Sequence, residues 1–163
     1  MIKRIFSLAL LLVLLMTGCK AEWIGQMLSE MERETATAYH AKNREGRYNA
    51  ATLVAEKYFT PGMSIAEVTP LLNDLKSQGF DIGEYRHEGA RNWPDGELKP
   101  YMDEGVRRNL QGQIPPGVSR IHVTKNYGRA RIIITKFMAV SFIIKDGEDK
   151  VADIKASLSQ SFI

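Results

Sequence analysis

Apolar residues recur at helical spacing along the first half of the sequence and at strand spacing along its last third. Trp23, Ile24, Met27, Leu28, Met31, Thr35, Ala38 and Tyr39 form one stripe of an amphipathic helix. The opposite side, Gln26, Glu30, Arg33 and Glu34, mixes signs. A helix lying on a membrane is rich in Lys and Arg on that side, so the stripe reads as core. Asn43 to Arg47, with Gly46, ends this helix, and a second begins near Asn49 with Ala51, Val54, Ala55, Tyr58 and Phe59 inward. Thr60-Pro61-Gly62 then breaks the chain. A third helix opens on the capping box Ser64-x-x-Glu67, buries Ile65, Val68, Leu71, Leu72 and Leu75, and stops at Gly79. Pro70 inside it predicts a kink or a short break at Thr69, because proline removes a helical hydrogen bond.

Phe80 to Tyr85 alternates and predicts a short strand. His87 to Leu98 is polar and punctuated by glycine, with a turn at Trp93-Pro94-Asp95-Gly96, and reads as a long irregular stretch. A short helix fits Pro100 to Gln111, and Pro115-Pro116-Gly117 closes the segment. Ser119 to Lys125 then alternates, with Ile121 and Val123 on one side and Arg120, His122 and Thr124 on the other. Asn126-Tyr127-Gly128 reads as a hairpin loop. Arg129 to Lys145 reads as one long strand bent near Phe137, or else as two, Asp146 to Asp149 as a turn, and Val151 to Leu158 as the last strand. Helices first and a meander afterwards define an α+β fold, with N-terminal helices packed on a C-terminal antiparallel sheet of three to four strands.

Residues 1–18 have the parts of an export peptide: Lys3 and Arg4, the apolar run Leu8 to Met16, and small residues before Cys19. The run falls short of the about 20 residues that span a bilayer. A plain secretory peptide needs no cysteine at its cleavage point. Met16-Thr17-Gly18-Cys19 resembles instead the lipobox of bacterial lipoproteins, in which the thiol is acylated before cleavage. Cys19 is the only cysteine, so it has no disulfide partner, and acylation removes a free thiol from an oxidising compartment. By the same resemblance Lys20, where aspartate marks inner-membrane retention, implies the periplasmic side of the outer membrane. Residues 19–163 are then expected to form a single periplasmic domain, held to the membrane through the lipid on Cys19.

Charge changes the picture little. The whole sequence carries 22 basic and 19 acidic residues. Losing Lys3 and Arg4 leaves 20 against 19, a net charge of +1, which gives no support for nucleic-acid binding.

Thr60-Pro61-Gly62-Met63-Ser64, with Glu67, Val68, Leu71 and Leu72, resembles the helix opening of SmpA/OmlA-like outer-membrane lipoproteins and β-lactamase-inhibitor-protein-like domains. That resemblance implies two helices followed by a three-stranded antiparallel sheet, and a protein that acts by gripping other proteins. The chain departs from the pattern by about forty residues inserted between Gly79 and Ser119.

No motif for catalysis, metal or cofactor emerges. Gly62-Met63-Ser64-Ile65-Ala66 lacks the second glycine and the preceding strand of a nucleophile elbow. His40, His87 and His122 form no close ligand pair. Two groups remain as candidate partner-binding residues. Arg86, His87, Arg91 and Trp93 lie on the polar stretch, and Trp and Arg are the residues that most often anchor interfaces. The alternative is that Trp93 folds back as a lid on the core. Arg120, with His122 and Lys125 and with Arg129 and Arg131 across the hairpin, makes a cationic strand surface, or simply the wet side of a half-buried sheet. The expected function is therefore a non-enzymatic, protein-binding lipoprotein of the cell envelope. An alternative is an immunity protein that neutralises a toxin delivered to the periplasm. Its partners would be an envelope protein or a toxin, besides the membrane itself.

Overall fold

The computed structural model describes residues 22–39, 44–129 and 134–162. Residues 1–18, read as an export peptide, lie outside them, as do Cys19 and Arg131. Among the described residues the fold is α+β, four helices and a six-stranded antiparallel sheet in the order β3-β2-β1-β4-β5-β6.

Helix α1 covers residues 22–39 and buries Ile24, Met27, Met31 and Thr35, the expected stripe. Tyr39 departs from it, being 62% exposed. Helix α2, Arg44–Tyr58, begins earlier than the pattern indicates and carries Gly46 in its first turn. Glycine there costs about 1 kcal/mol, which the burial of Ala51, Val54 and Ala55 in the same helix outweighs. Trp23 joins α1 to α2 by packing on Tyr58 and Phe59, with ring centroids 5.9 and 5.8 Å apart. Lys57 adds a 2.8 Å ion pair to Glu30.

Helix α3, Ile65–Ser77, has both bonds of the capping box: the Ser64 hydroxyl accepts from the Glu67 amide, and Glu67 accepts from the Ser64 amide. Such a cap stabilises by about 0.5–2 kcal/mol. Contrary to the expectation at Thr69, the helix runs through Pro70 without a break. Pro70 and Ala66 both face solvent, so the carbonyl that proline leaves without a helical donor is on the wet side. The start of α3 is sewn to the sheet, since Gly62 donates to Val151, Val151 to Met63 and Ile65 to Asp149.

The sheet is wider than the three to four strands the pattern implies. The stretch read as irregular contains β2, Gly89–Asn92, and β3, Lys99–Pro100, which continue from β1, Asp81–Arg86. Helix α4, Glu104–Gln113, follows. The hairpin loop expected at Asn126-Tyr127-Gly128 is also corrected: β4 is Val118–Arg129 and β5 is Ile134–Lys145, with Asn126 opposite Phe137 and Tyr127 opposite Lys136. Tyr127 packs against the core, and Lys136 reaches Glu32 of α1 at 2.7 Å. These inward contacts keep the strand going where its glycine suggested a turn. Gly128 instead falls at an irregularity in the register. Strand β6, Val151–Phe162, completes the sheet.

Alternation gives the sheet two sides. Ile82, Ile121, Val123, Met138, Val140, Phe142 and Ile154 point to the inner side and form the core with α1, α2 and α3. The outer side bears Tyr85, Arg120, His122, Thr124, Phe137, Ala139, Ser141, Ile143 and Lys155.

Candidate functional site

Trp93, Arg86 and Arg91, read as partner anchors, all make contacts within the fold. Trp93 is only 5% exposed and belongs to the core, so the lid reading holds and the exposed anchor does not. Its amide donates to Ile82, and its carbonyl accepts from Lys76 of α3 at 3.1 Å. Arg86 and Arg91 flank it but do not simply extend into solvent. Arg86 Nε donates to Glu84 Oε1 at 2.7 Å, while Arg91 reaches Oε2 through Nε at 2.6 Å and Nη2 at 2.5 Å. Glu84 is on the inner side of β1, with a side chain only 5% exposed. A buried carboxylate needs such partners. That carboxylate, first by its hydrogen bond, pushes the Arg86 guanidinium further up.

The cationic strand surface is split between the two sides of the sheet. Lys125 points inward, donates to the Gln78 carbonyl and lies over the Phe80 ring, 4.5 Å from its centroid. Arg120 points outward and donates to the Gln113 carbonyl at 3.0 Å. Arg129 is on the same strand as Arg120, not across a hairpin from it. The His87 ring bonds the carbonyl of Ile114 through Nδ1 at 3.2 Å. Arg120 and His87 therefore fasten the end of α4 to the sheet.

The outer side brings His122 and Arg120 together with residues that sequence reasoning missed. Register places Asn92, Gly83, His122, Ser141 and Lys155 in one row across β2, β1, β4, β5 and β6. Ala90, Tyr85, Arg120, Ile143 and Asp153 form the row beside it. His122 Nδ1 is 2.8 Å from the Ser141 hydroxyl, and its ring meets Tyr85 edge to face at 6.1 Å. Burial, and then the nearby charge of Arg120, hold the His122 imidazole below its usual range, so it is neutral at pH 7. At the β1–β2–β3 corner of this side a cleft of about 410 Å³ is lined by Gly83, Tyr85, Ala90, Arg91, Asn92, Gly96, Glu97 and Lys99. A run of glycines among polar residues was its only trace in the sequence.

Among the described residues no cluster of three His, Cys, Asp or Glu side chains is placed to hold a metal ion. No described helix is long and apolar enough to cross a membrane. No family model matches the chain, no curated protein is similar to it, and no solved structure matches its fold.

Proposed function

We propose that the chain is an outer-membrane lipoprotein whose folded domain is a non-catalytic module that binds another protein in the periplasm. The observation that carries this reading is Met16-Thr17-Gly18-Cys19 after the apolar run Leu8 to Met16, in a chain with no other cysteine. Helix α1 has formed by residue 22, and Ile24 is already in the core. The acylated cysteine would then be joined to the domain by about three residues, a reach of roughly 10 Å at most. So short a tether holds the domain against the bilayer and restricts the partners it meets to those at the membrane.

The outer side of the sheet is the surface for such a partner. Phe137 and Ile143, both partly exposed, supply apolar area among Thr124, Ser141 and Ser157, with Arg120, Asp153 and Lys155 around them. An apolar centre with a polar rim is the usual anatomy of a protein interface. The likeness of residues 60–72 to the SmpA/OmlA helix opening supports the same reading.

Cross-linking of the tagged chain in its host membranes tests the proposal. A stoichiometric protein adduct is expected for the wild type and for Leu53→Asp, a change on the exposed side of α2. Ile143→Asp, on the outer side of the sheet, is expected to weaken that adduct by about tenfold or more, since loss of one central anchor commonly has that effect. Melting curves on the same samples verify that the variants are folded. An adduct indifferent to Ile143, or no adduct at all, contradicts the reading.

A further inference from the structure

Helix α4 is thinly covered by the rest of the domain. Among its described side chains only Leu110 is partly buried, and the others are exposed. Met102, just before the helix, is 101% exposed, against 63% for Leu53 and 62% for Tyr39. A helix of ten residues is marginal in water without tertiary packing. The segment is pinned to the sheet at its two ends instead. The Tyr101 hydroxyl donates to the Arg86 carbonyl at 2.5 Å, and Ile114, past the last turn, is buried. Val106, Leu110 and Ile114 recur every four residues in the sequence, and Met102 precedes them at the same spacing.

Both pins are at one end of the sheet, where Arg86, Ser119, Ile144 and Val151 share a row. Helix α1 begins at that same end. Trp23 packs on Phe59, whose ring is 4.9 Å from that of Phe142, whereas Glu32 reaches Lys136 toward the opposite end. A tether from Cys19 therefore enters at the end that carries α4, with α1 on the inner side of the sheet and α4 on the outer. Charge offers little there to attract anionic lipid. Asp103 and Glu104 balance Arg107 and Arg108, and Glu104 pairs with both arginines. In the neighbouring turn Asp146 is beside Arg86 and Glu148 beside Lys145. What this end presents is apolar, since Met102, Pro115 and Pro116 are all exposed.

We infer that Met102, with Pro115 and Pro116, makes a second contact with the bilayer, at the boundary between headgroups and acyl chains. The inference rests on the anchor proposed at Cys19. A single methionine and a short helix bind a membrane weakly alone, but a tether of about three residues raises their effective concentration at its surface. Contact on both sides of the sheet stands the strands upright on the membrane. The outer side then faces along the membrane plane, open to a partner held in the same bilayer.

Cys19 is the only cysteine, so on the acylated chain an introduced cysteine is the one free thiol. Met102→Cys, Leu53→Cys and Tyr39→Cys are isolated from host membranes, labelled with a polarity-sensitive dye and reconstituted into phosphatidylcholine vesicles. Some of the lipids carry a nitroxide quencher on the acyl chain. The label on Met102→Cys is expected to lose most of its fluorescence, in low and high salt alike. The label on Tyr39→Cys, about 25 Å along α1 from residue 22, is expected to keep its fluorescence, as is that on Leu53→Cys. Met102 is wholly exposed, so its replacement removes no packing. An acylated chain that floats with the vesicles but is unquenched at position 102 overturns the inference and leaves the anchor standing. Equal quenching at all three positions also overturns it, since that reports the dye's own affinity for lipid. A chain that does not float, and whose intact mass shows no acyl group, overturns the anchor and this contact with it.

Discussion

Trp93→Ala is expected to lower the stability of the domain by about 3–5 kcal/mol, the usual cost of truncating a buried aromatic. The side chain is 5% exposed and belongs to the cluster that includes Leu72, Leu75 and Ile82. Its backbone is held from both directions, by the hydrogen bond from its amide to the Ile82 carbonyl and by Lys76 on its own carbonyl, so the cavity cannot readily collapse. Thermal or urea unfolding followed by circular dichroism measures the loss. A drop below about 1 kcal/mol would mean that the indole is in solvent, where its truncation removes little burial. Conversely, any partner bound on the outer side of the sheet should keep its affinity for the folded fraction of this variant.

The second large effect is expected at Glu84. Glu84→Gln retains the shape and leaves two guanidiniums facing an amide that can accept from them at only one oxygen. Removing one member of a buried ionic group costs about 3–5 kcal/mol. Here Arg86 and Arg91 are 36% and 33% exposed in their side chains and can turn toward water, which reduces the loss. About 2–3 kcal/mol is therefore expected. A double-mutant cycle with Arg91→Ala should show coupling, because the two side chains are in direct contact. The effect should persist at high salt, since the carboxylate is buried and poorly screened. Additivity of the two changes would show that the ion pair contributes nothing of its own.

How far this fold was legible depended on whether each element's own residues carried its signal. Helix α3 announced itself by Ser64 and Glu67, and β4 to β6 by alternation and β-branched residues. Strand β2 could not, since Gly89-Ala90-Arg91-Asn92 has no apolar alternation and is held by register with β1 and β3. The end of β4 was obscured for the opposite reason. Asn126-Tyr127-Gly128 has local turn chemistry, but Tyr127 gains burial by staying in the strand, and tertiary packing overrode propensity.

Trp93 was misplaced because its neighbours are arginines and turn residues, which usually signal exposure. One sign of the true arrangement was present. Period two puts Glu84 on the same side of β1 as Ile82, so a carboxylate was due to enter the core and would need cations beside it. Arg86 shares its strand, and Arg91 stands opposite it in the register. The outer-side site was less accessible still. Asn92, Gly83, His122 and Ser141 are spread over nearly sixty residues of sequence and meet only through strand pairing.

The lipid anchor is the claim on which the placement of the domain rests, and one labelling experiment addresses it. Cells of a Gram-negative host expressing the tagged chain are fed labelled palmitate, and the protein is isolated from membranes. Several acyl chains, each adding about 0.8 kcal/mol per buried methylene, would make such attachment effectively permanent. The wild type is expected to carry the label and remain in the outer membrane through a high-salt wash. Cys19→Ala should be unlabelled. An unlabelled wild type, or a Cys19→Ala variant that still takes up the label, would contradict the account.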